Sequence, residues 1–114
     1  MTARTRVDRV RASAGIAMLA LQQIEDDLTG DDVTAAELAE TLREFHSEAD
    51  PQDGVLGKLA QLFTRCAQTA DRLNEDGDGD TSAPLNDAAE LLTEGVALRL
   101  YWATRVLDPQ GEAE

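Results

Sequence analysis

Residues 74–87, NEDGDGDTSAPLND, carry acidic side chains and glycines at the spacing of a calcium-binding loop. Such a loop needs oxygen ligands at positions 1, 3 and 5, glycine at position 6 and a bidentate glutamate at position 12. When the loop is counted from Asn74, position 12 is Leu85, which cannot bind a metal. When it is counted from Asp76, position 6 is Thr81 instead of glycine. Both registers lack a required residue, so we interpret the segment as a hydrated, flexible connector with no metal site.

The chain has one histidine, His46, and one cysteine, Cys66. A carboxylate-bridged metal centre in a helical bundle uses Glu-x-x-His motifs, but the residue three positions before His46 is Arg43. We interpret His46 as a surface residue near a helix C-terminus, with a base or a pH switch as the alternative. A single cysteine excludes an intramolecular disulfide and a cysteine-based zinc site within one chain. Cys66 lies in an apolar helical seam and is predicted to be a buried, inert thiol.

The sequence contains no glycine-rich phosphate loop, nucleophile elbow or dinucleotide fingerprint. With the loop, the histidine and the cysteine set aside, no catalytic set remains. We therefore predict a non-enzymatic protein with no cofactor and no metal. A small-ligand site between helices stays open, but no residue pattern identifies one.

Two groups of side chains are candidates for binding a protein partner. Tyrosine, tryptophan and arginine are enriched in interface hot spots, and the last predicted helix carries Arg99, Tyr101, Trp102 and Arg105. As alternatives, Trp102 closes one end of the core and Arg99 extends along apolar surface to reach water. The second predicted helix carries an acidic stripe, which is either a docking surface for a basic partner or a solvated face: Glu37, Glu40, Glu44 and Glu48.

The formal net charge is −13, and it is unevenly distributed. Residues 25–53 hold eleven acids and one base, whereas residues 1–11 are net basic through Arg4, Arg6, Arg9 and Arg11. An acidic surface repels phosphate, so we predict no direct nucleic-acid binding and no membrane binding. The N-terminal arginines are unfavourable for the helix dipole. They are therefore expected to form a frayed arm that could contact an acidic patch on a second copy of the chain.

The longest apolar run, residues 14–21, is too short to span a bilayer. The N-terminus leads directly into charged residues and shows no signal-peptide pattern. A cytoplasmic location is therefore the expectation.

Apolar residues recur at helical spacing in four segments, and no strand-like alternation occurs. This pattern predicts an all-α antiparallel four-helix bundle, or paired helical hairpins, with helices near residues 5–29, 34–49, 51–74 and 83–107. We predict one domain over residues 1–114, with a frayed basic arm (1–6), an acidic flexible loop (74–82) and a short C-terminal tail (109–114).

Each predicted helix has its own apolar face. The first repeats spacings of three and four over three heptads, as a coiled-coil seam does: Val7, Val10, Ala14, Ala17, Leu21, Ile24 and Leu28. The second opens with a capping box of Thr34 and Glu37 and is predicted to bury Ala35, Leu38, Leu42, Phe45 and Ala49. The third, with Asp50 as its predicted cap, would bury Leu56, Leu59, Phe63, Cys66, Ala70 and Leu73. The fourth follows a cap at Thr81 or Ser82 and has two apolar stripes, one of Leu85, Ala89, Leu92, Val96, Ala103 and Val106 and one of Leu91, Leu98 and Trp102.

The first and fourth helices are longer than the second, so part of their apolar surface would stay uncovered within one chain. The leading interpretation is an acidic helical interaction protein, an adaptor, assembly factor or small regulator, that acts as a homo-oligomer and most simply as a homodimer. The alternative is an acidic mimic of nucleic acid that inhibits a DNA- or RNA-binding protein. Direct DNA binding through the N-terminal arginines is a weaker third interpretation.

Overall fold

The computed structural model describes residues 5–47, 49–50, 52–73 and 79–109. These residues are helical with no strand, which confirms the prediction of an all-α helical bundle. The helices are α1 (Arg6–Asp27), α2 (Ala35–Phe45), α3 (Gly54–Leu73), α4 (Ser82–Glu90) and α5 (Ala97–Leu107), and a π-helical segment (Leu91–Val96) joins α4 to α5.

The chain divides into two compact units, Met1–Val33 and Thr34–Glu114. The first unit is a single helix with the turn that follows it, which is shorter than a domain of usual size. The prediction of one domain over the whole chain therefore stays a prediction. Among the described residues, no helix combines the length and the apolar character that crossing a membrane requires.

A capping box that the sequence interpretation missed fixes the start of α1. The Asp8 N–H donates to Thr5 Oγ1 at 3.0 Å, and the Thr5 N–H donates to Asp8 Oδ2 at 3.3 Å. These bonds satisfy two backbone donors that would otherwise have no helical partner. The predicted frayed arm, residues 1–6, is thus wrong for Thr5 and Arg6, which form the cap and the first helical turn, and residues 1–4 lie outside the described residues.

The predicted capping box of α2 is confirmed. The Glu37 N–H donates to Thr34 Oγ1 at 3.1 Å, and Glu37 Oε1 accepts from the Thr34 N–H at 2.9 Å. Thr81 is the N-cap residue of α4, but its side chain makes no capping hydrogen bond. Thr34 and Thr81 therefore hold equivalent positions, and only the Thr34 side chain stabilises its helix by capping.

Thr34→Ala is expected to lower the free energy of unfolding by about 1 kcal/mol, because it leaves a first-turn N–H without its partner. Thr81→Ala is the matched control and should change that free energy by less than about 0.5 kcal/mol. Urea unfolding at one protein concentration compares the two variants. Equal losses in both would show that the Thr34 cap does not stabilise α2.

The junction between α2 and α3 differs from the prediction. Helix α2 ends at Phe45, four residues before the predicted end, and His46 is extended. Ser47 Oγ accepts from the Asp50 N–H at 3.3 Å, and Asp50 Oδ1 accepts from the Gln52 N–H at 3.0 Å. These local side-chain bonds compete with helix formation. Asp50 therefore organises a turn, and α3 begins at Gly54.

Gly54 opens α3 in a conformation that suits glycine. Its φ is +85°, in the left-handed region. A Cβ at this position would lie 2.9 Å from the carbonyl oxygen of Phe45 and 3.2 Å from that of Glu44. The last carbonyls of α2 and the first residue of α3 thus approach each other with no room for a side chain.

Within the second unit, α3 packs on α4 and on the π-helical segment, and α2 packs on α3 and α5. The buried apolar residues of the described chain are all alanines: Ala39, Ala60, Ala67, Ala89 and Ala97. No large apolar side chain among the described residues is completely buried. Half-buried leucines and phenylalanines surround this alanine centre, including Leu42, Phe45, Phe63, Leu85 and Leu92.

Helix α3 buries a face that is rotated from the predicted one. Its buried residues are Gly57, Ala60 and Ala67, while Cys66 is exposed. The prediction of a buried, inert Cys66 is therefore wrong, and the predicted core residues Leu59 and Leu73 are exposed as well. The buried residues lie next in sequence to the predicted ones, and one residue turns a helix by about 100°. Small side chains allow α3 to approach its neighbours closely, so the face that contains glycine and alanine is the one that packs.

The π-helical segment explains why the predicted core stripe of the last helix is wrong beyond Leu92. Val96, Ala103 and Val106 are exposed, whereas Ala97 and Thr104, each one residue further on from Val96 and Ala103, are buried. A π-helical turn contains one extra residue relative to an α-helical turn. An α-helical period continued from Ala89 therefore predicts buried positions in α5 that are one residue before the observed ones.

Candidate protein-binding surfaces

The first candidate surface is the apolar seam of α1, the residues Val7, Val10, Ala14, Ala17, Leu21, Ile24 and Leu28. No residue of α1 is buried. Val10 is 60% exposed and Leu21 is 50% exposed, and the other seam residues are exposed or half-buried. The first unit offers α1 no second helix on which to pack these side chains.

The second candidate surface lies on α5, where Leu98 and Trp102 are about one helical turn apart. The predicted stripe also contains Leu91, but the π-helical segment places Leu91 on the side of Gly95 and Arg99 instead. The side chains of Leu91, Leu98 and Trp102 are all exposed, Trp102 to 56%. The alternative interpretation that Trp102 closes one end of the core is therefore wrong. The exposed tryptophan lies beside three further predicted site residues, Arg99, Tyr101 and Arg105.

Short-range contacts hold these neighbouring side chains in place. Arg105 Nη1 donates to Tyr101 Oη at 2.9 Å, and the guanidinium carbon of Arg105 lies 5.6 Å from the Tyr101 ring centroid. Arg99 Nη1 donates to the carbonyl oxygen of Gly95 at 2.9 Å, at the end of the π-helical segment. A side chain that is already held in one geometry loses less conformational entropy when it binds a partner.

The acidic side chains of α2 do not form one continuous free row. Glu37 belongs to the capping box, and Glu40 pairs with Arg43 at 2.7 Å, while Glu44 is exposed. Glu48 lies outside the described residues. Within the described part of the acidic stripe, Glu37 and Glu40 thus bind groups of their own helix, and Glu44 is the exposed carboxylate that remains.

Arg43 connects α2 to the end of α5. Its Nη2 lies 3.3 Å from Asp108 Oδ2, and the two side chains are 25% and 27% exposed. Partial burial alone would lower the pKa of Arg43, but hydrogen bonds to Asp108 and Glu40 raise it above its usual value. The guanidinium thus stays charged and ties the acidic helix to the helix that carries Trp102.

An open groove of about 400 Å³ lies between α3 and α4. Its lining is mostly polar and includes Gln61, Thr64, Asp87, Glu90 and Thr93. Among the described residues, no group of histidine, cysteine, aspartate and glutamate side chains could hold a metal ion. His46 is the C-cap of α2, and its backbone N–H donates to the Leu42 carbonyl oxygen.

Comparison of the chain with protein-family models, with curated proteins and with solved structures finds no match. The candidate surfaces therefore rest on the geometry of this chain. The sequence pattern places Tyr101, Trp102, Arg99 and Arg105 together, and the structure shows them close on one short helix. For α1, the sequence predicts an apolar seam that a single chain leaves partly uncovered, and residues 12–24 carry no charged side chain.

Proposed function

We propose that this protein is a non-enzymatic helical interaction protein, an adaptor, assembly factor or small regulator, that functions as a homo-oligomer. Its contacts with other chains are made through apolar helix faces. One observation carries the proposal: many large apolar side chains are exposed, while the buried apolar residues of the described chain are all alanines.

This distribution is unfavourable for an isolated chain. Burying a leucine or valine side chain is worth about 1.5–3 kcal/mol, whereas an alanine contributes far less. Large contiguous apolar patches on a protein surface are typical of sites that bind proteins or other apolar partners. The second unit exposes several large apolar side chains, among them Leu91, Leu98 and Trp102.

The mimicry of nucleic acid remains the second hypothesis, supported by the eleven acids of residues 25–53. It requires carboxylates in a rigid, free row. Glu37 and Glu40 bind groups of their own helix, so the observed contacts favour the interaction protein.

Sedimentation velocity at about 1 to 100 µM protein tests the proposed function. We expect a mass that is a multiple of 12.3 kDa and that persists in about 1 M salt, because apolar contacts are not screened by ions. A monomer at every concentration would contradict the proposal. Dissociation by salt alone would show that charge, and not the apolar faces, holds the oligomer together.

A further inference from the structure

We propose that the occupant of the α1 seam is α1 of a second copy of the chain, aligned antiparallel. This inference rests on the proposed homo-oligomer and specifies the surface that forms it. Helix α1 is 22 residues long, or about 33 Å at 1.5 Å per residue. It carries three heptads of apolar seam, and no residue of it is buried.

The seam fits itself in the antiparallel direction. In an antiparallel pair of heptad helices, each first-position residue faces a fourth-position residue of the other helix. The register that aligns residues 7–24 of the two copies places Val7 opposite Ile24 of the second copy, Val10 opposite Leu21 and Ala14 opposite Ala17. Leu28 lies beyond the paired segment. At each end a branched side chain faces another, and at the crossing point two alanines face each other.

The centre of α1 allows the two helices to approach closely. Ala14 and Ala17, which face each other at the crossing point, are both small. Small residues at a helix crossing reduce the distance between the helix axes. Residues 12–24 contain no charged side chain, so no charge is desolvated when this stretch is covered.

The charges at the two ends of α1 are complementary. Arg6, Arg9 and Arg11 lie at its N-terminal end, and Glu25, Asp26 and Asp27 lie at its C-terminal end. Arg11 pairs with Asp8 in its own helix at 3.6 Å. In the antiparallel register, Arg6 of each copy flanks the seam next to Asp27 of the other copy. The same side chains cannot meet within one helix, because 21 residues separate them by about 32 Å.

A parallel pair would have the opposite electrostatics. It would bring the arginines of both copies together at one end and the six carboxylates of Glu25, Asp26 and Asp27 together at the other. Like charges within about 8 Å of each other repel at physiological salt. The distribution of charge along α1 thus selects the antiparallel pair over the parallel one.

Cross-linking of cysteine variants tests the direction of the pair directly. The background is Cys66→Ser, which removes the exposed native thiol. Val7→Cys and Ile24→Cys are made separately, mixed to allow exchange of chains, and treated with a short bis-maleimide. We expect cross-linked dimers in the mixture and none with either variant alone, because Val7 lies about 25 Å from Val7 of the second copy in the antiparallel pair.

Charge reversal gives a second test that does not depend on cross-linking. Arg6→Glu and Asp27→Arg should each weaken the dimer about tenfold, because each change converts two symmetry-related attractions into repulsions. The double variant should recover the affinity of the unmodified chain. In a parallel pair, Arg6→Glu would instead strengthen association.

The outcomes separate this inference from the proposed function. Cross-linking of Val7→Cys alone, or a double charge variant that stays as weak as the single variants, would overturn the antiparallel α1 pair. An intact oligomer with no cross-link in any sample would show that another surface forms it, and the proposed function would stand. A monomeric unmodified chain would contradict the proposed function itself.

Discussion

Leu21→Glu is expected to weaken self-association of the chain by about a hundredfold or more. In the proposed pair, Leu21 of each copy faces Val10 of the other, so the substitution places two carboxylates against apolar side chains. An unpaired polar or charged group costs on the order of 1–3 kcal/mol when it is covered, and every 1.4 kcal/mol is a factor of ten in affinity. Sedimentation equilibrium measures the change in the dimer dissociation constant.

Leu19→Glu is the matched control for this substitution. Leu19 is 61% exposed in the single chain and Leu21 is 50% exposed, so both replacements add a charge to similarly accessible positions of one helix. Leu19 lies on the side of α1 opposite the seam, because it is two residues before Leu21 and two residues turn a helix by about 200°. The control should associate like the unmodified chain. Equal weakening by both substitutions would show that the seam is not the interface.

Gly54→Ala is expected to lower the free energy of unfolding by about 2–4 kcal/mol. Alanine pays about 1–2 kcal/mol for the left-handed backbone conformation. Its Cβ also lies 2.9 Å from the Phe45 carbonyl oxygen, so the α2–α3 junction must shift. Folded domains have a total stability of about 5–15 kcal/mol, which makes this a large loss. Urea unfolding followed by the fluorescence of Trp102, the one tryptophan of the chain, reports it.

Gly15→Ala is the control for a glycine without a conformational role. Gly15 lies inside α1, and a Cβ there meets no atom within 4 Å. Alanine should stabilise α1 by about 0.5–1 kcal/mol, because glycine is a poor helix former. Both variants are measured at the same chain concentration as the unmodified chain, because the apparent stability of an oligomer depends on concentration. If Gly54→Ala were as stable as the unmodified chain, that result would show that α2 and α3 do not approach each other so closely at Gly54.

The existence of the helices could be predicted from the sequence, because the apolar period of each segment is long and regular. The N-cap of α2 could be predicted to the residue, since Thr34 and Glu37 form a recognisable capping box. The equivalent box of Thr5 and Asp8 was missed because aspartate replaces the expected glutamate and because the neighbouring arginines are unfavourable for the helix dipole. At the start of α1, the capping hydrogen bonds thus outweigh the unfavourable interaction of the arginines with the helix dipole.

Which face of a helix is buried could be predicted less well. The period through Ala89 holds only while the helix is α-helical, and the π-helical segment shifts the buried positions to Ala97 and Thr104. Nothing in the local residue types between Leu91 and Val96 distinguishes a π-helical turn from an α-helical one. In α3, the face with small residues is buried and the face with more large residues is not. Cys66 lies on the second face and is exposed.

The residues of the candidate surfaces could be predicted in part. Tyr101 and Trp102 stand out by type, and their arginine neighbours by spacing. The sequence could not show that Trp102 is exposed, since the same stripe could equally face a core. The heptads of α1 predict an apolar seam, but a seam within one chain and a seam between two chains have the same pattern.

If a second copy covers the α1 seam, hydrogen exchange of the α1 amides will be slowed by the association. A lone helix without tertiary packing is marginally stable in water, so its amides exchange quickly. We predict that the amides of residues 10–24 exchange at least about tenfold more slowly in the unmodified chain than in Leu21→Glu at the same concentration, while those of α3 do not differ. Equal and rapid exchange of α1 in both proteins, at a concentration where the unmodified chain is associated, would show that a second copy does not cover the α1 seam.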